Sequence, residues 1–126
     1  MKFSLMTYTV APSWPGGCQS LEEMATFAAG LGFAALELSV GNLGDRSVAE
    51  FGRLCADSGL AVSSINGGCP LVSFEAEPFQ AGIDEGKRMV DMAVELACPV
   101  IMPLPGMAPS AEEKPRVAAR VAEGLR

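Results

Sequence analysis

Along the chain, short runs of apolar and β-branched residues alternate with longer stretches in which apolar positions recur every three or four residues. FSLMTYTV (3–10), AALELSV (34–40), LAVSSIN (60–66) and PVIMPL (99–104) have the first pattern and predict strands. Between them the spacing predicts helices. Leu21, Met24, Ala25, Ala28 and Leu31 share one helical face, closed by Gly32. Val48, Phe51, Leu54 and Cys55 form a second face, ending near Gly59. Phe79, Ile83, Met89, Val90, Ala93, Val94 and Ala97 form a third. Val117, Ala118, Val121 and Leu125 form a fourth.

The helix starts carry their own signals. Ser20 to Glu23, Ser47 to Glu50 and Ser110 to Glu113 each read S-x-x-E, the spacing of a capping box. Pro78 suits the first turn of the third helix. Pro115 sits late for a helix opened at Ser110, so the fourth helix can instead start at the proline. Pro103 lacks the N–H that an interior ladder needs, so the fourth strand is expected to end early.

Four strand–helix units in 126 residues imply a parallel sheet covered by helices, in one domain spanning residues 1–126. The helix-to-strand joints are short (LGF, SGL, ACP), whereas the strand-to-helix loops carry Trp14, Asn42, Asn66, Cys69 and several glycines and prolines. That asymmetry is the pattern of a TIM barrel, whose function gathers at the C-terminal ends of its strands. Eight units close such a barrel. Four make a (βα)4 half, to be completed by dimerisation or by further C-terminal sequence. An alternative is a small flavodoxin-like domain, but the loop APSWPGGCQ holds no GxGxxG or GxxxxGK[ST] phosphate fingerprint.

Composition narrows the chemistry. A net charge of −6 and the lack of any basic run argue against nucleic acid or an anionic membrane as partner. The mean hydropathy of +0.29 comes without an 18-residue apolar run, so no membrane span is expected. Lys2 leads into strand-like sequence rather than a signal peptide. Cys18, Cys55, Cys69 and Cys98 form no CxxC and read as reduced thiols of a cytoplasmic protein. The chain has no histidine, which removes the commonest metal ligand and general base.

In order, AAGLGFAALELSV, LCADSGLAVSSIN and GIDEGKRMVDMAVELACPVIMPLPG resemble the N-terminal half of the xylose isomerase-like TIM barrels, the sugar phosphate isomerase/epimerase group. The resemblance implies a parent that isomerises or epimerises a sugar or sugar phosphate with a divalent metal such as Mn, Mg, Zn or Co. In that group the metal ligands lie on strands of the second half, so none is carried over and no cofactor is expected in this chain, which alone should be inactive. The related endonuclease IV-type repair enzymes take early metal-binding histidines from strands two and three, where this chain has Ser39 and Asn66.

Four residues stand out as candidates for lining a sugar pocket. Glu37, in the second strand, would face the barrel interior while Leu36 and Leu38 face the helices; the alternative is a structural ion pair with a cation such as Lys2. Tyr8, with Thr9, ends the first strand, and Trp14 follows on its loop as an apolar wall or a packing residue. Asn66 precedes Gly67-Gly68 and is either a substrate hydrogen-bonding group or a turn former. Cys69 lacks a partner base, Gly106 reads as a turn, and Glu75, Glu77, Glu112 and Glu113 read as solvated helix-start charges. A non-catalytic pair of half-barrels, joined through the open sheet edges as a homodimer, is the competing reading to an isomerase fragment.

Overall fold

The computed structural model describes residues 1–126. Its elements alternate as β1 (Ser4–Met6), α1 (Leu21–Gly30), β2 (Ala35–Ser39), α2 (Val48–Asp57), β3 (Ala61–Gly68), α3 (Ala76–Glu95), β4 (Ile101–Leu104) and α4 (Lys114–Gly124). The four strands form one parallel sheet in the order β1-β2-β3-β4. Strand order that never reverses, joined by right-handed crossovers, puts every helix on the same face. The result is an α/β half-barrel.

The core lies between that face and the helices. Leu36, Leu38 and Ile65 are fully buried, together with Ala25 and Ala28 of α1, Phe51 of α2 and Met89 of α3. Each large side chain so buried contributes about 1.5–3 kcal/mol. Glu37, between two of the buried leucines, therefore points to the opposite, concave face, where it is only half-buried.

The helix starts follow the sequence closely. At α2 the capping box is complete: Ser47 accepts from the Glu50 backbone N–H, and Glu50 accepts from that of Ser47. At α1 Ser20 accepts from Glu23 N–H, while the Glu23 carboxylate reaches back to Gln19 N–H. Ser110 and Glu113 also bond to each other, but they close a turn, and α4 begins at Lys114 with Pro115 in its first turn.

Three expectations are corrected. The first strand stops at Met6, and Thr7–Val10 turn into a 3₁₀ segment instead of continuing to residue 10. Thr9 Oγ1 donates locally to Met6 O, and Thr7 Oγ1 accepts from Ser39 N–H at the end of β2; these side-chain bonds replace the ladder there. Tyr8 and Thr9 thus sit on a turn beyond the strand. The fourth strand runs through Pro103 to Leu104 rather than ending early. Val100 and Leu104 carbonyls accept from β3, so even-numbered residues face β3 and Pro103 faces the open edge, where no donor is missed. Finally, Leu31, Val90, Val94 and Leu125, expected on core faces, are exposed. Val90 and Val94 line a groove with Val100 and Ile101, beside the uncovered edge of β4.

The pairing of β2 with β3 is irregular. Leu36 pairs with Val62 but Glu37 pairs with Ser64, so Ser63 is an extra residue, a β-bulge. Its hydroxyl donates to Leu36 O at 3.3 Å. Beyond the bulge, Ile65 turns to the core and Ser64 and Asn66 turn to the concave face.

Candidate functional site at the strand ends

Two polar layers cross the concave face. In the lower one, the Glu37 carboxylate accepts a hydrogen bond from the Ser4 hydroxyl of β1 on one side. On the other it accepts from the Ser64 hydroxyl of β3 at 3.1 Å. No lysine or arginine lies within ion-pairing distance of Glu37; Arg46 pairs instead with Glu22 and Arg88 with Glu85. In place of the alternative ion pair with a cation such as Lys2 stand two hydroxyl donors, the compensation a partly buried carboxylate needs.

The upper layer lies at the C-terminal ends of the strands. Thr7 is fully buried; its hydroxyl donates to Asn42 Oδ1 and accepts from Ser39 N–H, both at 2.9 Å. Asn66 pairs in register with Ser39 and is 3% exposed. Its Nδ2 has no hydrogen-bond partner within the protein. A buried donor left unpaired costs about 1–3 kcal/mol, so a conformation that retains it invites an external acceptor. The Asn66 backbone does not turn: it belongs to β3, which continues to Gly68.

Tyr8 and Trp14 are brought together at the rim. The Trp14 indole N–H donates to Tyr8 O at 2.9 Å, and the rings meet edge to face, 6.0 Å between centroids at 88°. Both remain about half exposed. The loop is held by its own bonds: Trp14 N–H to Ala11 O, Gly17 N–H to Trp14 O and Cys18 N–H to Val10 O. Gly17 is required there by space, since a Cβ at this position would lie 2.0 Å from Ala11 O.

The remaining candidates fall outside the site. Burial pushes the Cys69 thiol up, and the Glu85 charge adds to it; the side chain is buried against Met89. All four cysteines are free. Gly106, at φ 97°, makes the turn after β4, close against Val72. Glu75 is the N-cap residue of α3 and Glu77 lies in its first turn. The roles of Ser4, Ser64, Thr7 and Asn42 were not foreseen. Ser4 and Ser64 share strand parity with Met6 and Asn66, the one local signal that they face the same way. Nothing in the sequence near Thr7 marks it.

The protein presents no grouping of three or more His, Cys, Asp or Glu side chains suited to a metal. The one carboxylate in the lower layer already accepts from two hydroxyls. These residues do not fit a divalent-metal site on their own.

No helix is long and apolar enough to cross a membrane. No curated protein matches the chain. Among solved structures, D-psicose 3-epimerase crystallised in the presence of D-fructose superposes at a TM-score of 0.73 with 21% identity, over 99% of this chain and 46% of that one. D-psicose 3-epimerase from Clostridium cellulolyticum H10, with D-tagatose, gives 0.76 and 17%, over 99% and 46%. A probable 3-DHS dehydratase from Bacillus anthracis gives 0.71 and 20%, over 98% and 47%. At these identities the likeness is one of fold, and the chain spans under half the length of each of these structures. Residues 25–126 match the family model described as xylose isomerase-like TIM barrel. The chain therefore belongs to the xylose isomerase-like TIM barrel family.

Proposed function

We propose that this chain forms the N-terminal half of a sugar isomerase or epimerase, and that its concave face supplies the sugar-binding wall of a complete barrel. The observation that carries this is the Asn66 Nδ2 donor, buried and unpaired at the C-terminal end of β3, where barrels of this kind place their ligands. Asn66 offers a donor to a sugar oxygen, Glu37 stands beneath it held by two serine hydroxyls, and Tyr8 and Trp14 offer an apolar rim to the ring. Solved relatives were crystallised with D-fructose and D-tagatose, which points to free ketoses or their phosphates as the substrate class. A dehydratase shares the fold, so the reaction rests on the site rather than on the architecture.

The parent reaction we favour moves a proton between adjacent carbons of the sugar, as ketose–aldose isomerisation or epimerisation. A divalent metal would polarise the neighbouring oxygens; its ligands would come from outside these 126 residues, and the chain alone would bind sugar weakly without turning it over. The test is a D-fructose titration read by Trp14 fluorescence. A saturable change that Asn66→Ala abolishes is expected. A flat response up to molar sugar would defeat the proposal.

A second arrangement is favoured by the edges. Met102 and Leu104 of β4, Val100 just before it and Phe3 before β1 are all exposed. Two copies joining β4 of each to β1 of the other would pair both open edges in parallel and close eight strands. Light scattering at micromolar concentration distinguishes a homodimer from a 13.1 kDa monomer; a stable, folded monomer would rule this assembly out.

A further inference from the structure

We infer that Glu37 is a positioning residue: its carboxylate clasps Ser4 and Ser64 and thereby fixes the register that presents Asn66 to ligand. The inference rests on the proposed role of Asn66 and deepens it. Three observations meet here. Each oxygen of Glu37 accepts one hydroxyl, Ser64 in register with it on β3 and Ser4 two residues lower on β1, so a single side chain ties three strands. The tie lies immediately beyond the Ser63 bulge, the one place where the β2–β3 ladder shifts. Asn66 follows Ser64 by two residues on the same face and is buried without a partner of its own.

The bulge makes the register a choice. Serine occupies both 63 and 64, so either hydroxyl has the chemistry to donate to Glu37. If Ser63 took that place, every following side chain of β3 would exchange faces. Ile65 would leave the core, and Asn66 would leave the concave face. Burial of Ile65 opposes that slip. It acts, however, from the far side of the sheet and does not hold Ser64 beside Glu37. The clasp does so directly, and Ser63 is held off by its bond to Leu36 O. Asn66 has no side-chain bond to steady it, so its placement depends on the strand beneath it. No cation neutralises Glu37. Its anchoring is therefore a matter of hydrogen bonding, which an uncharged amide of the same shape can largely reproduce.

The test compares Glu37→Gln, Glu37→Ala and the double variant Ser4→Ala/Ser64→Ala in the whole chain. Nuclear magnetic resonance follows the Asn66 side-chain amide and hydrogen exchange at Ser64–Gly68, and D-fructose titration follows binding. Gln keeps one acceptor and offers one donor to the serine oxygens, so Glu37→Gln is expected to stay within about threefold of wild type in exchange. Glu37→Ala and the double variant are expected to speed exchange at least tenfold and to shift the Asn66 amide resonances. Their affinity for D-fructose should fall at least tenfold, while Glu37→Gln retains it within about threefold. Unchanged exchange and unchanged Asn66 resonances in Glu37→Ala would overturn the inference. So would equal losses of affinity in Gln and Ala variants with Asn66 undisturbed, since Glu37 would then contact the sugar itself. If wild type binds no D-fructose, the proposed function fails, and the exchange measurements still decide whether the clasp exists.

Discussion

Glu37 stands opposite Ser64, rather than Ser63, because β3 carries one residue more than β2 between two successive ladder pairs. That single extra residue decides which side chains reach the concave face. It brings a hydroxyl from β3 to the carboxylate that already holds one from β1, and it sends Ile65 into the core and Asn66 toward the strand-end mouth. The core and the proposed site therefore depend on the same register, and several consequences can be measured.

Asn66→Leu should stabilise the chain while removing any sugar response. The buried Nδ2 donor has no protein partner, and an apolar group of similar shape has nothing to leave unpaired. A gain of about 1 kcal/mol in urea unfolding is expected. A loss of stability would mean that the amide is satisfied in the folded protein.

Ala97→Gly should also stabilise, for a backbone reason. Ala97 follows α3 with φ 49°, the one non-glycine residue in the left-handed region. That conformation costs a non-glycine residue about 1–2 kcal/mol, partly offset by the extra freedom glycine gives the unfolded chain. A rise in melting temperature of roughly 2–5 °C is expected; a lower melting temperature would contradict it.

Gly17→Ala should do the reverse. The added methyl would lie 2.0 Å from the backbone oxygen Ala11 O, which no rotamer change can relieve, so the loop must open. A destabilisation of at least about 2 kcal/mol is expected. Trp14 emission should shift to the red as its bond to Tyr8 O loosens. An unchanged melt and spectrum would show that the loop is not held as described.

The Cys55 thiol gives a pH dependence with a defined sign. Burial pushes its pKa up from 9.0 to about 11. The folded state holds the proton more tightly than the unfolded one, so this contribution is complete below pH 9 and is lost as pH rises toward 11. Compared with Cys55→Ala, wild type should lose more of its urea midpoint between those two values. Parallel pH profiles for the two proteins would refute the assignment. In the folded state the same thiol should resist alkylation at neutral pH.

The helical periods and the S-x-x-E starts were legible because they depend on residues three or four apart; all four helices lie where the periods run, and Ser20 and Ser47 cap the first two, whereas Ser110 closes a turn before the fourth. Leu36 and Leu38 flanking Glu37 likewise announced which face was core, because alternation along a strand is local. What could not be read was anything that a neighbouring strand decides. The end of β1 at Met6 follows from bonds between Thr7 and residues 39 and 42. The tolerance of Pro103 follows from β4 being an edge. The apolar period of α3 counted Val90 and Val94 as core without knowing that β4, beside them, has no further neighbour.

By itself, then, the sequence determined the alternation of strands and helices, the parallel half-barrel and the family pattern, since repeating periodicity and capping chemistry act within a few residues along the chain. Only the tertiary structure decided the bulge at Ser63, the two serine hydroxyls on Glu37 and the burial of Asn66 without a partner. Those depend on how strands far apart in sequence align, and a register is an agreement between two strands that neither one encodes alone.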